Sequence, residues 1–393
     1  MVLFLTIHYL QQGGILGSLT AHQKVVMVIS QFYPALGGAE VQAQRLARAL
    51  LKRGIDVSVL TRYRKGLPYH ELIEGIPVYR AIRTVPLPFL WGLVFMVSTF
   101  CFLSKRRKEY TVIHCHILKE LQTVAAVACK YLFGKKVVVK MSSSGVTSDI
   151  KLLHKKVYGK LFLLFARRVD AIIAVCKESA REIGAAGFSP DRLVEIPNGV
   201  DTQEFTRGNC PGAREERTIT FIGRLDGYKG VDYLLHGFKA LLLEIDRARL
   251  IIVGTGPDET HLHYLAEELG IQGHVDFRGR QENIQSILSE TEIFVLPSLS
   301  EGMSNVLLEA MGCGLPIVAT AVGGNRDLIR DRYNGILIPP QDSMRLGDAV
   351  LELLKDVRLA GALGRAARKT VEEHYSMDRI TDDYVCLYSE LGA

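Results

Sequence analysis

Short β-branched runs separated by helix-length intervals recur along the 393 residues, and this alternation limits the fold more than any other feature. A strand joined to a parallel neighbour needs a crossover, usually a helix, and parallel sheets are stable only when helices cover both faces. In the first half the runs are VVMVIS at 25–30, DVSVL at 56–60, TVIHC at 111–115, KVVVK at 136–140, AIIAV at 171–175 and LVEIP at 193–197. Helical stretches fill most intervals, as from Ala39 to Arg53. A polar stretch from Thr206 to Arg217, with Gly208, Asn209, Pro211 and Gly212, interrupts the pattern as an interdomain linker does. The alternation resumes with TITFIG at 218–223, RLIIVG at 249–254, HVDFRG at 274–279, EIFVLP at 292–297 and LPIVAT at 315–320. The expected fold is α/β: two Rossmann-like doubly wound domains, 1–205 and 206–375, facing a cleft. A last helix, over 376–393, follows the completed second sheet and can pack on either domain.

The hydrophobic fraction of 48% is enough for two cores. The seven cysteines (Cys101, Cys115, Cys129, Cys176, Cys210, Cys313, Cys386) are odd in number and scattered, without a C-x-x-C pair or a spacing with histidine that would hold zinc. That pattern fits a reducing compartment. The first two dozen residues lack a basic leader, a long apolar core and a small-residue cleavage site, so no signal peptide is expected, and the segment before Lys24 is an extension that adds little to the fold. The net charge of +6 conceals an imbalance. Residues 1–200 hold 28 Lys+Arg against 12 Asp+Glu, which leaves 20 against 30 of the chain's 48 and 42, or +16 beside −10. A basic first half suits an anionic partner, either a membrane face or a phosphate-bearing acceptor; nucleic-acid-binding sequence patterns are missing, which argues against nucleic acid. A cytoplasmic protein, at most peripheral at the inner face of a membrane, is the expectation.

Ligands of open parallel sheets bind beyond the carboxyl ends of the strands, and the informative residues fall in loops that follow strands. The richest segment is Ser300-Glu301-Gly302-Met303-Ser304-Asn305-Val306-Leu307-Leu308-Glu309-Ala310-Met311-Gly312-Cys313-Gly314-Leu315-Pro316. A helix starting near Ser304 presents free N–H groups and a positive dipole end suited to a diphosphate, and Gly302 lets backbone approach a ligand. Glu309 lies eight helical rises, about 12 Å, beyond Glu301. Taken singly, the bland account makes Glu301 a helix-start acid and Glu309 a solvated helix residue. The segment, however, closely resembles the E-x7-E signature of glycosyltransferase family 4. The resemblance extends to Gly223-Arg224-Leu225-Asp226-Gly227-Tyr228-Lys229-Gly230, Val253-Gly254-Thr255-Gly256-Pro257 and Ile196-Pro197-Asn198-Gly199-Val200-Asp201, and in order and spacing covers nearly the whole chain.

What the resemblance implies is a GT-B fold and a retaining transfer of sugar from a UDP- or GDP-linked donor to an acceptor hydroxyl, saccharide or lipid-linked, in polysaccharide or glycolipid biosynthesis. Glu301 would contact the donor sugar, Glu309 the ribose, and Arg224 with Lys229 the diphosphate. Further donor contacts are implied for Gly223, Gly254, Asn198 and the run Gly302, Met303, Ser304 and Asn305. Base contacts are expected near Gly279-Arg280-Gln281, with Arg280 the side chain named. In the first half, Gly37 and Gly38 of the Gly37-Gly38-Ala39-Glu40 turn match the family's glycine loop beside the donor phosphates, although a Gly-Gly pair alone is more often a tight turn. No D-x-D is present, and two fixed cations can do a metal's work on a departing diphosphate. No metal and no cofactor are expected.

One departure from the family stands out. Many members carry a histidine beside the reacting carbon in a loop after an N-domain strand; here KVVVK is followed by Met141-Ser142-Ser143-Ser144-Gly145. The role passes to a serine hydroxyl such as Ser144, to backbone, or to His116 at an earlier strand end, where a histidine is more often structural. Rival readings are a nucleotide-sugar epimerase on the same fold, which would yield an isomeric nucleotide sugar, and a silent binding protein. Finally, Leu87–Leu103 is an apolar run of 17 residues with Trp91, Phe95, Phe100 and Phe102, followed by Lys105-Arg106-Arg107-Lys108. Its length, Pro88 and Gly92 argue against spanning a bilayer. It suits a helix packed on the first sheet that can also touch an anionic membrane.

Overall fold

The computed structural model describes residues 23–34, 37–206 and 217–392. The residues before Gln23 and most of the expected linker, including Gly208, Asn209, Cys210, Pro211 and Gly212, lie outside the described residues. The chain forms two compact units: one runs to Asn198 and takes in the chain again from Met377, and the other is Gly199–Ser376.

The first unit is built on eight strands: β1 (Lys24–Val28), β2 (Asp56–Arg62), β3 (His70–Ile73), β4 (Ile76–Ile82), β5 (Val112–His116), β6 (Lys136–Lys140), β7 (Ala171–Ala174) and β8 (Leu193–Glu195). Their order is β3-β4-β2-β1-β5-β6-β7-β8. All neighbours are parallel except β3 with β4. That pair was not expected from the sequence; it is an edge hairpin turning on Glu74 and Gly75, both with positive φ (49° and 82°), the geometry that suits a two-residue connection. Chain order reverses at β1, with β2 on one side and β5 on the other, so a crevice opens beyond the carboxyl ends of β1 and β5.

Side chains of β1 alternate between two cores, Val26 and Val28 facing one and Val25 and Met27 the other, as the pleat requires. The first core takes Phe95, Phe102 and Leu103 of helix Pro88–Lys105 together with Phe162 and Leu163 of helix Gly159–Ala166. The second is closed by Leu46 and Leu50 of helix Gly38–Lys52 and by Tyr384 and Tyr388 of the terminal helix Met377–Gly392. The terminal helix thus belongs to the first unit. Tyr388 hydroxyl lies 2.8 Å from His114 Nδ1, and Arg53 Nη2 lies 3.0 Å from Asp382 Oδ1. Among the described residues no helix is long and apolar enough to cross a membrane.

The second unit has β9 (Arg217–Ile222), β10 (Ala248–Val253), β11 (Val275–Phe277), β12 (Ile293–Leu296), β13 (Ile317–Thr320) and β14 (Ile336–Ile338), in the order β11-β10-β9-β12-β13-β14 with every neighbour parallel. This is a doubly wound sheet whose switch point lies between β9 and β12. The sequence reading did not include β14, a run of three residues without distinctive periodicity. Two strand-end loops of this sheet are in backbone contact. Gly254 has φ 136°, and a Cβ there would stand 1.8 Å from Gly223 O. Gly254→Ala is therefore expected to destabilise the protein by about 3 kcal/mol or more, read as a lowered midpoint in chemical unfolding; an unchanged midpoint would contradict the close approach.

Candidate active site

In the second unit the loop after β9 is fixed at three places. Gly223 N–H donates to Val253 O at 2.9 Å and Leu225 N–H to Thr255 O at 3.1 Å, joining it to the loop after β10. Gly230, with φ 63°, closes the short turn Gly227–Lys229, and a Cβ there would lie 2.4 Å from Pro297 O. Leu299 N–H donates to Tyr228 O at 2.7 Å. The last two contacts bind the β9 loop to the β12 loop across the switch point.

The result is an ion pair. Lys229 Nζ stands 2.6 Å from Glu301 Oε1, and the same oxygen accepts Ser298 Oγ at 2.7 Å. Glu301 and Ser298 are buried. A buried carboxylate is tolerated because a cation and a hydroxyl face it, and removing one partner leaves the other charge uncompensated. Arg224 is not part of this pair: its side chain is 70% exposed, with Nε 3.4 Å from Asp226 Oδ2. The structure brings Lys229 and Glu301 together and leaves Arg224 on the open side of the loop.

Beyond Glu301, Gly302 O accepts Gly324 N–H at 2.9 Å, and Gly324 has no room for a Cβ, which would lie 2.1 Å from that oxygen. Met303 and Ser304 are buried, and Ser304 caps helix Asn305–Gly312 by accepting Leu307 N–H at 3.3 Å. The serine cap one residue before the helix places Asn305 and Val306 in its first turn, at the end where the macrodipole is positive. Glu309 is only 5% exposed, which removes its reading as a solvated helix residue. Gly254 N–H donates to Gly279 O at 2.8 Å, and Arg280, next in the chain, is exposed. The sequence reading missed Ser298 and Asn325. Ser298 holds Glu301; the signal was a serine in the strand-end loop three residues before that acid. Asn325 is fully buried, its Nδ2 donating to Thr320 O at 3.0 Å and its Oδ1 without a hydrogen-bond partner among the described residues.

The first unit's crevice carries its own carboxyl. Ser30, after β1, donates from Oγ to Glu120 Oε1 at 2.6 Å, beyond β5, and Glu120 Oε2 has no hydrogen-bond partner among the described residues. Burial pushes the Glu120 carboxyl up to about 7, with Glu40 and Asp149 adding and Ser30 and Lys119 opposing. Sequence reasoning missed Glu120; an acid four residues past a strand-end histidine is a weak signal. Gly37 caps helix Gly38–Lys52, its N–H donating to Glu40 Oε2 at 2.9 Å, and Gly38 opens the helix. His116 is buried, stacked on His114 with ring centroids 4.2 Å apart, and its Nε2 has no hydrogen-bond partner among the described residues. Burial, helped by the Lys140 charge, lowers its pKa to about 3, so the ring is neutral. Ser144 is fully buried and takes a weak bond from Cys176 Sγ at 3.7 Å. Asn198 accepts Lys140 Nζ at 2.9 Å through Oδ1, an oxygen therefore already engaged within this unit. Among the described residues no group of three or more His, Cys, Asp or Glu could hold a metal ion.

Two family models match end to end: "Glycosyltransferase Family 4" over residues 36–204 and "Glycosyl transferases group 1" over 203–370. The chain belongs to glycosyltransferase family 4. It is a glycosyltransferase with the GT-B pair of α/β domains. An uncharacterized glycosyltransferase of Methanocaldococcus jannaschii is 28% identical over 93% of this chain and 97% of its own length. The N-acetyl-alpha-D-glucosaminyl L-malate synthase of Bacillus anthracis is 24% identical over 91% of this chain and 95% of its own. Among solved structures, HepE of Anabaena in complex with UDP-glucose superposes with a TM-score of 0.79 at 19% identity, covering 94% of this chain and all of that one; at that identity the likeness is one of fold.

The Glu120 carboxyl gives a pH prediction. Its folded pKa is raised from 4.5 to about 7, so between those values the folded chain keeps a proton that the unfolded chain has lost. This stabilising contribution is complete below about 4.5 and is lost as pH rises through about 7. Glu120→Gln is expected to flatten the fall in stability across that window, measured by urea unfolding at a series of pH values; an unchanged slope would contradict the burial of this carboxyl.

Proposed function

We propose that this glycosyltransferase moves a hexosyl group from a nucleoside diphosphate sugar to an acceptor hydroxyl with retention of anomeric configuration, and that the second unit holds the donor. The observation that carries the reading is the Lys229–Glu301 pair at 2.6 Å, lying between the carboxyl ends of β9 and β12 and next to the Ser304-capped helix. In the resting protein Lys229 and Glu301 satisfy each other. A diphosphate at the helix N-terminus gives Lys229 a second anion, which loosens its hold on Glu301 and frees that carboxylate for sugar hydroxyls. Arg224, already exposed, turns in to join it. Glu309, buried on the same helix, takes the ribose hydroxyls. The two cations stabilise charge on the leaving diphosphate, whose departing oxygen can accept the acceptor's proton on the face it vacates. The UDP-glucose bound by the Anabaena protein favours a UDP-linked donor over a GDP-linked one. The acceptor is a saccharide or lipid-linked hydroxyl.

Product analysis tests the reaction: a panel of nucleotide sugars should yield free nucleoside diphosphate and a glycoside of the donor's anomeric configuration. An isomeric nucleotide sugar as the product would identify an epimerase instead. With cations on the diphosphate, turnover is expected to persist in EDTA; a rate abolished by EDTA and restored by a divalent ion would overturn metal independence. Lys229→Ala combined with Arg224→Ala should lower kcat about 10²-fold or more. The carboxylates separate in binding. Glu309→Ala should weaken nucleoside diphosphate and donor alike, whereas Glu301→Ala should weaken the donor and spare the nucleoside diphosphate; equal losses for both ligands in both variants would contradict the division.

A further inference from the structure

Helix Gly159–Ala166 does not turn a polar side to solvent. Gly159, Phe162, Leu163 and Ala166 are buried in the first unit, as an amphipathic helix requires. The opposite face presents Leu161, Leu164 and Phe165, exposed by 59, 51 and 43%, with Lys160 beside them. The preceding turn adds Val157 and Tyr158, also exposed. A surface helix whose solvent side is mostly apolar is unusual in a soluble domain and marks a face that meets something other than water.

The charges around this face indicate what it meets. Between Asp149 and Asp170 there is no acidic residue, while Lys151, Lys155, Lys156, Lys160, Arg167 and Arg168 supply six cations. Lys151 Nζ is engaged by Glu182 at 3.2 Å and Arg167 Nε by Ala186 O at 2.8 Å. Lys155, Lys160 and Arg168 have no acidic partner among the described residues. In the basic run that follows helix Pro88–Lys105 two of the four cations are by contrast engaged within their own fold: Arg106 stacks on Tyr79 at 4.0 Å and pairs with Glu109 at 2.7 Å, and Arg107 stacks on Phe133 at 5.6 Å. Self-association through the 157–168 face would bring like charges together across a two-fold axis. Apolar side chains bracketed by unpaired cations match an anionic bilayer surface, where the first enter the acyl boundary and the second meet headgroup phosphates.

We propose that the first unit docks on anionic lipid through residues 155–168, with Leu161, Leu164 and Phe165 inserted and Lys155, Lys160 and Arg168 at the headgroups. None of these residues is among those proposed to hold the donor, so failure of this proposal and failure of the transferase reading are told apart by measuring both. The test is flotation of the full chain with vesicles of phosphatidylcholine alone and of phosphatidylcholine with phosphatidylglycerol, at low and high salt, beside hydrolysis of the nucleotide sugar. The wild type is expected to float only with the anionic vesicles, and to be released by salt. Lys155→Ser with Lys160→Ser and Arg168→Ser should lower the partition coefficient about 10²-fold, near fivefold for each cation. Leu161→Ser with Leu164→Ser and Phe165→Ser should abolish flotation while leaving the circular dichroism spectrum and nucleotide-sugar hydrolysis at wild-type values. Absence of wild-type binding to anionic vesicles at low salt, or undiminished binding by the apolar triple variant, overturns the proposal. So does a wild-type dimer in sedimentation that the apolar variant loses, in a chain that ignores both vesicle types; that result assigns the face to a second copy.

Discussion

The 2.6 Å contact between Lys229 and Glu301 is the interaction on which the second unit's architecture turns. For a lysine after β9 to meet an acid after β12, those strands must be neighbours though not consecutive, which is what a doubly wound order provides at its switch point. The loops must then approach to backbone distance. Gly223, Gly230, Gly254 and Gly256 make that possible: a Cβ on Gly230 would strike Pro297 O, one on Gly254 would strike Gly223 O, and one on Gly256 would strike Leu225 O. The glycines of these motifs are thus steric requirements of one ion pair's position as much as means of approaching a ligand.

The first unit repeats the topology with a different solution for its charge. Its order also reverses between the first strand and a strand later in the chain, and again a carboxyl from one strand-end loop is held by a side chain from the other, Glu120 by Ser30 at 2.6 Å. A serine hydroxyl cannot neutralise a carboxylate. Burial therefore raises the Glu120 carboxyl to about 7, whereas Glu301 faces a cation. Nearby, Lys140 is pushed down to about 7 by burial and rests on Asn198, and His116 is kept neutral. In the first unit burial thus works against charge on Glu120, Lys140 and His116, although Lys119 still pairs with buried Asp149 at 3.1 Å; in the second the carboxylate after β12 is held directly by a cation.

Much of this was legible in the sequence because parallel strands buried on both faces write themselves as continuous β-branched runs: KVVVK coincides with β6 and AIIAV lacks only its last residue in β7. The β3–β4 hairpin was missed because HELI and IPVYRAI mix polar and apolar residues at a sheet edge, and β14 because three residues hold no period. The spacing of Glu301 and Glu309 was visible. The pairing of Glu301 with Lys229 was not, since residues 72 positions apart meet only through the strand order. Ser298 and Glu120 left only weak local signals for a related reason: their importance lies in which loop faces them across a switch point, which local pattern does not specify. Arg224 and Lys229 looked equivalent as two cations of one turn, yet the short helical turn ending at Gly230 directs the lysine to Glu301 and leaves the arginine exposed.

The account's central claim is that Lys229 and Glu301 act as one coupled unit that exchanges partners when the donor arrives. A double-mutant cycle on UDP-hexose binding, by calorimetric titration of the wild type, Lys229→Met, Glu301→Gln and the combined variant, tests this most directly. Lys229→Met alone should leave a buried carboxylate facing the donor phosphates, so adding Glu301→Gln should recover part of the lost affinity, and the two effects should fall short of additivity by about 1 kcal/mol or more. Losses that add to within about 0.3–0.5 kcal/mol would show the two side chains to be independent, and would contradict the account.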